Sequence, residues 1–233
     1  MSKSKTVSWV SAHWLVPAGV AIVLAMPVRA SMVLGIHDWD TDGHNWQSQE
    51  GFTTLTDPVV GGGNPDGWLQ IQFDATAAPE QDQAEWFDVV YVDAQALFPG
   101  QWDTSMNVGF DFLAQDAIPG TLQVQWSSST NSDVWAASLN PPTATNEWTS
   151  QRVYFDDWTA WQFPGATEDQ FLSDLASIDW IGVYIYRTGA DQQSYGLDNF
   201  SLMVPEPTQL AMIGAAVIAS VFSMRRRRED DET

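Results

Sequence analysis

An acidic run near residue 40 has the spacing of a calcium loop. Asp38, Asp40 and Asp42 alternate along the chain and are followed by a glycine. Alternate carboxylates before a sharp turn suit a hard cation, which takes about six to eight oxygen ligands. The EF-hand pattern is not met, because its last ligand position falls on Gln49, with Glu50 one residue late, and no flanking helix is predicted. The run is therefore either a calcium site of another kind or a solvated acidic turn.

Tryptophan is the second residue type that could bind a ligand. The chain has 13 tryptophans, and all but two follow residue 30. An exposed indole can stack on the apolar face of a sugar ring, and a neighbouring carboxylate can accept hydrogen bonds from sugar hydroxyls. Alternatively, these indoles pack loops onto the edge of the core. The candidates for a polysaccharide platform lie near predicted turns, and they are Trp102, Trp148, Trp158 and Trp161, together with Asp157.

The charge balance excludes a nucleic-acid partner. The chain has 30 acidic and 9 basic residues, a net charge of −21 and a pI near 4.1, so its surface repels phosphate. It has no cysteine, which excludes disulfides and a thiolate nucleophile. His37 and His44 flank the acidic run and could ligate a metal, but neither H-E-x-x-H nor G-x-S-x-G occurs. We therefore expect a protein that is not an enzyme.

Short runs of period-two alternation predict the strands that position these residues. In the run from Asn107, apolar residues recur at every second position, as expected for a strand with one buried face. The same alternation places Trp126 and Trp180 in the core. Glycine and proline mark turns between the runs. Strands are predicted to begin at Trp68, Trp86, Asn107, Thr121, Thr149, Trp180 and Tyr195.

One segment follows a helical pattern instead. Thr167-Glu168-Asp169-Gln170 has the form of a capping box and precedes apolar residues at helical spacing, which predicts a helix from Glu168 to Ala176. Seven or more antiparallel strands with one short helix indicate an all-β fold. The expected architecture is an antiparallel β-sandwich, specifically a jelly roll, in a single domain.

Several motifs of the central part of the chain carry a family resemblance. The segments WDTDGHNW, GGNPDGWLQI, FLSDLASIDWIGVYIYRTG and YGLDNFSL resemble bacterial jelly-roll modules of the carbohydrate-binding and laminin-B-like kind. The likeness spans most of residues 36–202. It implies one structural calcium ion between the first and last strands, with Asp40 and Asp198 as ligands and Asp38 and Asp42 as alternates.

The two ends of the chain are typical of targeting segments. Lys3 and Lys5, an apolar run from Trp14 and the sequence Val28-Arg29-Ala30 predict a secretory signal peptide that is cleaved after Ala30. Near the other end, residues 208–224 form an apolar run at the short limit of a transmembrane helix. Four arginines follow it, which predicts that this side stays in the cytoplasm.

The order of features in the C-terminal segment resembles the PEP-CTERM sorting signal of Gram-negative bacteria. A Pro-Glu-Pro motif precedes the apolar run, and a basic cluster follows it. This resemblance implies recognition by an exosortase, a membrane transpeptidase, with a plain membrane anchor as the alternative. The sorting residues are Pro205, Glu206, Pro207, Arg225, Arg226, Arg227 and Arg228.

These features together predict the organisation of the chain. We expect a signal peptide over residues 1–30, a β-sandwich over 31–203, a sorting signal over 204–228 and an acidic tail over 229–233. The expected protein is exported, anchored in the inner membrane as a precursor and then processed into the cell envelope or extracellular matrix. Polysaccharide and a structural calcium ion are its candidate ligands. The rival classes are a glycan-active enzyme and a purely structural surface protein without a ligand.

Overall fold

The computed structural model describes residues 31–40, 45–50, 53–63, 67–73, 85–189 and 192–205. Within these residues the chain forms two antiparallel sheets of six strands each, and one hydrophobic core draws on both sheets. The predicted all-β, antiparallel class is confirmed. The strands are β1 Ser31–His37, β2 Gln47–Ser48, β3 Thr53–Val60, β4 Gly67–Phe73, β5 Glu85–Asp93, β6 Asn107–Ala114, β7 Thr121–Ser128, β8 Val134–Leu139, β9 Trp148–Tyr154, β10 Trp161–Gln162, β11 Ile178–Thr188 and β12 Gln193–Pro205.

The first sheet, which we call sheet A, is built around the last strand. Its order is β3-β4-β12-β6-β9, and β1 pairs with the second half of β12. Ser31 lies opposite Pro205, and His37 lies opposite Phe200, so the first and last strands of the described chain are neighbours. The register of β12 against β6 shifts after Asp198, where Asn199 adopts a positive φ of 53° and forms a bulge.

The second sheet, sheet B, has the order β10-β8-β7-β11-β5-β2. Its centre is the eleven-residue strand β11, which pairs with β7 on one side and with β5 on the other. The inner face of β7 is apolar, because Leu122, Val124 and Trp126 are fully buried, as the alternation predicted. These residues fix which side of sheet B turns outward.

Aromatic side chains fill one end of the core. The rings of Trp126 and Trp135 stack 5.7 Å apart, and the rings of Phe155 and Trp161 stack 5.0 Å apart. Phe171 meets the Trp135 ring edge-on at 5.1 Å. Aromatic pairs in these arrangements add about 0.5–1.5 kcal/mol each beyond the burial of their surface. This end of the sandwich is therefore packed by rings rather than by aliphatic side chains.

Two short helices connect the strands. α1 spans Ala94–Leu97, and α2 spans Glu168–Leu175, which confirms the predicted helix. The Thr167 hydroxyl accepts a hydrogen bond from the Gln170 backbone N–H at 3.2 Å, as an N-cap should. The Gln170 side-chain amide donates to the Asp133 carboxylate at 2.8 Å. A single turn of 3-10 helix covers Trp158–Ala160.

All seven predicted strands are present, but five further strands were not predicted. β1 lies directly after the predicted cleavage point, and β2 and β10 have two residues each. The other two, β3 and β8, lack a clear alternation of apolar and polar residues. The predicted signal peptide, the apolar run over 208–224 and the basic cluster lie outside the described residues. In the described part of the chain no helix is both long and apolar enough to cross a bilayer.

Candidate functional site

The outer face of β11 carries aromatic side chains where an ordinary exposed strand carries polar ones. Ile181, Val183 and Ile185 are fully buried and point into the core. The alternate residues Trp180, Tyr184 and Tyr186 are half-buried and therefore occupy the outer side of sheet B. The sequence prediction for Trp180 is wrong on this point. The sequence predicted the alternation along β11 correctly, but the face that points into the core carries Ile181, Val183 and Ile185 and not Trp180.

The outer aromatic residues of β11 meet those of the neighbouring strand β5. Phe87 stacks on Tyr184 with ring centroids 5.7 Å apart, and Tyr91 lies 5.5 Å from Trp180. Phe87 is 48% exposed, so part of this ring pair faces solvent. We call Phe87, Tyr91, Trp180, Tyr184 and Tyr186 the aromatic face. Because a strand rises about 3.3 Å per residue, its two ring pairs are separated by about 13 Å along β11.

Gly182 lies between the two ring pairs and opposite Tyr91. A Cβ at this position would lie 2.4 Å from the Val90 carbonyl oxygen and 2.7 Å from the Tyr91 Cβ. Only glycine fits this close approach of two strands, because a methyl group there would force them apart.

A row of amides runs beside the aromatic face on β7. Gln125 lies opposite Gly182, and Gln123 lies opposite Tyr184. Gln125 donates to the Gln123 side-chain oxygen at 2.9 Å, and Gln123 donates to the Ser138 hydroxyl at 3.5 Å. On the other side of the face the Tyr91 hydroxyl donates to the Gln47 side-chain oxygen at 3.2 Å. We call Gln123, Gln125 and Ser138 the amide row.

Burial and a neighbouring phenol affect the ionisation of the aromatic face. The pKa of Tyr184 is raised above its ordinary value, first by partial burial and then by the nearby Tyr186. The Tyr184 phenol therefore stays protonated through the neutral range and can act as a donor and an acceptor. The aromatic face thus offers ring surfaces and phenol hydroxyls, and the amide row offers further donors and acceptors. This combination suits a flat, uncharged, hydroxyl-rich ligand.

Two of the four predicted platform tryptophans are core residues. Trp102 is 3% exposed and Trp161 is 2% exposed, and their indole N–H groups donate to the carbonyl oxygens of Phe98 and Tyr154. Neither ring presents a face to a ligand, so their prediction as a platform is wrong. The alternative, that such indoles pack loops against the core, describes them correctly.

The other predicted platform residues lie apart from the aromatic face. Trp158 is half-buried against the core, and Asp157 caps its short turn by accepting from the Thr159 N–H at 3.0 Å and the Thr159 hydroxyl at 2.6 Å. Trp148 lies on sheet A, where it meets Trp68 edge-on at 5.9 Å and donates to the Gly62 carbonyl oxygen at 3.0 Å. A binding role for these three residues stays a prediction.

The residues of the predicted calcium site are only partly brought together. β1 ends beside the bulge of β12, because its last residue, His37, pairs with Phe200, two residues after Asp198. Asp38 and Asp40 follow this strand in the chain. Asp40 accepts from the Gly67 N–H at 2.9 Å, and Asp198 accepts from the Asn199 N–H at 2.7 Å. Asp42 lies outside the described residues. Within those residues no cluster of three or more acidic or histidine side chains could hold a metal ion. The calcium site stays a prediction.

His37 is a core residue rather than an exposed metal ligand. It is 1% exposed, and its ring stacks on Trp39 with centroids 4.3 Å apart. Its Nδ1 accepts a hydrogen bond from the Trp46 indole N–H at 2.8 Å, so this nitrogen carries no proton. The interpretation of His37 as a possible ligand is therefore not supported. His44 lies outside the described residues.

No family model and no curated protein sequence matches the chain. Among solved structures, the CBM22-1-GH10 modules of an endo-1,4-β-D-xylanase from Clostridium thermocellum, complexed with xylohexaose, match with a TM-score of 0.50 and 11% identity. The match covers 75% of this chain and 29% of that chain. At this identity the likeness concerns the fold alone.

Two other matches have lower scores. The family 11 carbohydrate-binding module of Clostridium thermocellum, in complex with a β-1,3-1,4-mixed-linked tetrasaccharide, matches with a TM-score of 0.47 and 18% identity over 73% of this chain and 95% of that one. An exo-β-agarase matches with a TM-score of 0.47 and 15% identity over 74% of this chain. This chain spans 25% of the length of that agarase.

Proposed function

We propose that this protein is an exported, non-catalytic carbohydrate-binding protein of jelly-roll type, which holds polysaccharide on the outer face of sheet B. The observation that carries the proposal is the aromatic face with the amide row beside it. Ring pairs about 13 Å apart along a strand can stack on separate sugars of one chain. The amides and phenols can bond to the hydroxyls between those sugars.

The charge of the protein restricts the class of polysaccharide. A net charge of −21 repels acidic polymers at long range. The aromatic face itself contains no acidic or basic side chain, so it offers no ion pair to overcome that repulsion. The proposed ligand is therefore a neutral polysaccharide. The similar xylanase modules are complexed with xylohexaose, an uncharged oligosaccharide, which agrees with this class.

Affinity electrophoresis or a pull-down with insoluble polysaccharide tests this function. Xylan, mixed-linked β-glucan, cellulose and agarose form a neutral panel, and alginate is the acidic comparison. We expect retention by at least one neutral polymer and none by alginate. Retention by alginate alone, or by none of the five, would contradict the proposal. Loss of retention on mutation of the aromatic face distinguishes specific binding from adsorption.

The proposal includes export and processing. The secretory signal over residues 1–30 and the Pro205-Glu206-Pro207 motif followed by the apolar run and Arg225–Arg228 support recognition by an exosortase. Ser31 and Pro205 pair at one end of sheet A, so both proposed processing points lie beside each other at the edge of the folded domain. Cleavage at these points would remove both apolar segments and leave the sandwich intact. The mature protein would then reside in the cell envelope or extracellular matrix.

A structural calcium ion is a further part of the proposal. The pairing of β1 with β12 supports it, because a cation held between the acidic run and Asp198 would tie the two strands together. It would also offset part of the repulsion among the carboxylates of the domain. Asp42 and backbone carbonyl oxygens would have to complete the ligand set.

A further inference from the structure

A polar groove lies on the outer face of sheet A, on the side of the molecule opposite to the aromatic face. It has a volume of about 310 Å³, at the lower end of the range for small-ligand sites. Its walls come from β6, β9 and β12, the three neighbouring strands at one side of the sheet. The residues that matter for its chemistry are Gly109, Asp111, Ser150, Arg152, Asn199 and Met203.

The carboxylate of Asp111 is held in a fixed orientation. One of its oxygens accepts from the Ser150 hydroxyl at 2.5 Å, and the other accepts from the Asn199 side-chain amide at 2.8 Å. Asp111 is 9% exposed, so only its edge reaches the groove. A carboxylate oxygen can accept two hydrogen bonds, so a hydrogen bond from a ligand would add to the contacts that Asp111 already has. Asn199 is placed there by the bulge of β12, where its positive φ turns the strand.

Arg152 supplies donors at the other side of the groove. It is one of two basic residues between residues 31 and 203, and its side chain is exposed. Its guanidinium lies 3.5 Å from the Met203 sulfur, and in the described part of the chain it has no carboxylate partner. Gly109 forms the floor, since a Cβ there would lie 2.6 Å from the Met203 methyl carbon and 3.7 Å from the Arg152 Nε. The guanidinium N–H groups thus remain available to a ligand.

The groove holds one carboxylate and one guanidinium, and these charges offset each other. Neither a free anion nor a free cation is favoured there, whereas adjacent hydroxyls can donate to Asp111 and accept from Arg152. Trp148 stands on the same face of β9, two residues before Ser150 and four before Arg152. We propose that this groove is a second carbohydrate site, which takes a single neutral sugar unit by its hydroxyls.

The groove and the aromatic face work independently in this proposal. They lie on the outer faces of different sheets, with the core between them, so a sugar in one does not compete with a chain on the other. The groove proposal extends the proposed carbohydrate function, but its test does not depend on the aromatic face. A variant that removes sugar binding at the groove should leave binding at the aromatic face unchanged, and the reverse should also hold.

Saturation-transfer NMR on the full chain in mild detergent tests the groove. The probes are the methyl β-glycosides of glucose, xylose and galactose, for which we expect a Kd on the order of 1 mM with at least one sugar. Arg152→Ala should weaken binding by about tenfold, because two guanidinium hydrogen bonds are lost. Arg152→Lys keeps the positive charge but loses the planar guanidinium with its paired N–H donors, so its affinity should lie between those of wild type and Arg152→Ala. Trp180→Ala on the aromatic face is the comparison variant: it can remove only the signal that arises at the aromatic face, and it should keep the part of the signal that Arg152→Ala removes.

The outcomes separate this site from the aromatic face. A signal retained in Trp180→Ala and lost in Arg152→Ala supports the groove, even if no polysaccharide binds to the aromatic face. A signal lost in Trp180→Ala but retained in Arg152→Ala overturns the groove and supports the aromatic face alone. The absence of any signal from the three glycosides also overturns the groove. Because Arg152 is exposed, its replacement should leave the melting temperature within about one degree of wild type, so misfolding does not confuse the result.

Discussion

Replacing Trp180 with alanine tests the aromatic face directly. The indole lies against Tyr91 on the outer side of sheet B, and a minor part of it remains open to solvent. If polysaccharide stacks on this ring, the substitution removes one end of the platform and leaves Tyr184 and Phe87 at the other end. Trp158→Ala is the comparison variant, because Trp158 is a half-buried tryptophan outside the aromatic face that the sequence also predicted as part of the platform.

The size of the effect follows from the exposed area of the ring. A tryptophan side chain has roughly 200 Å² of surface to bury, and because Trp180 is mostly buried, its exposed part offers a sugar at most about 70 Å². At about 25 cal/mol per Å², full coverage of that part contributes at most about 1.8 kcal/mol to binding. We therefore expect Trp180→Ala to weaken binding by at most about 20-fold. The buried part contributes more to folding, so both variants should lose about 3 kcal/mol of unfolding free energy.

Binding is measured by titration calorimetry with soluble oligosaccharides of whichever neutral polymer retains the protein. Chemical denaturation of the same samples confirms that each variant is folded at the assay temperature. The expected result is a large loss of affinity in Trp180→Ala and wild-type affinity in Trp158→Ala, with similar losses of stability in both. Equal losses of affinity in the two variants would show that the aromatic face is not the platform. If Trp180→Ala does not fold, Tyr184→Ala provides the same comparison.

Four further predictions concern ionisation, stability, metal binding and processing. The pKa values of Tyr184 and Tyr195 are raised, chiefly by burial. Their neutral forms therefore stabilise the fold below pH 10, and this stability is lost as the pH rises through the folded-state pKa values. Ultraviolet titration should show two phenols that ionise at higher pH than in the denatured chain, and simultaneous titration of all five tyrosines would contradict this. Asp88 is fully buried and accepts hydrogen bonds from the Ser48 and Thr53 hydroxyls and from two backbone N–H groups of residues 49 and 50. Asp88→Asn should therefore cost about 2–4 kcal/mol of unfolding free energy, whereas the exposed control Asp179→Asn should cost almost none, and equal effects would refute the role of Asp88. Calcium at about a hundredfold excess over its Kd should raise the melting temperature by about 5–10 °C, and magnesium at matched ionic strength should do much less; equal shifts would indicate general screening. Intact-mass analysis of mature protein from the host should find a chain that lacks residues 208–228. A mature chain that ends at Thr233 would contradict processing and support the alternative, a plain membrane anchor.

The local patterns of the sequence were sufficient for seven of the twelve strands and for α2, but not for α1. Period-two alternation placed seven strands, because burial on one face of a sheet leaves a direct trace in residue type. The capping threonine placed α2 for a similar reason, since its hydroxyl serves an N–H three residues away. β3 and β8 were missed because their polar and apolar residues do not alternate, so their pairing is decided by the neighbouring strands.

The candidate site could be predicted only in part. The sequence of β11 shows a clear alternation between two sets of residues: Trp180, Gly182, Tyr184 and Tyr186 on one face, and Ile181, Val183 and Ile185 on the other. The inner face could have been chosen from the branched residues, which pack well on a half-buried sheet. The partners Phe87 and Tyr91 lie about 90 residues away along the chain, and only the pairing of β5 with β11 brings them to the same surface. For Trp102 and Trp161, proximity to a turn suggested exposure, but the chain folds those turns back onto the core.

The sequence by itself therefore determined the class of the fold and the negative net charge, and it led to the expectation of targeting segments at both ends. Each of these depends on composition or on residues that are close together in the chain. The tertiary structure alone decided which aromatic rings face outward, where the amide row lies, and that Asp111, Ser150, Arg152 and Asn199 line one groove. Strand register sets these neighbours, and a shift by one residue would turn every side chain to the opposite face of its sheet.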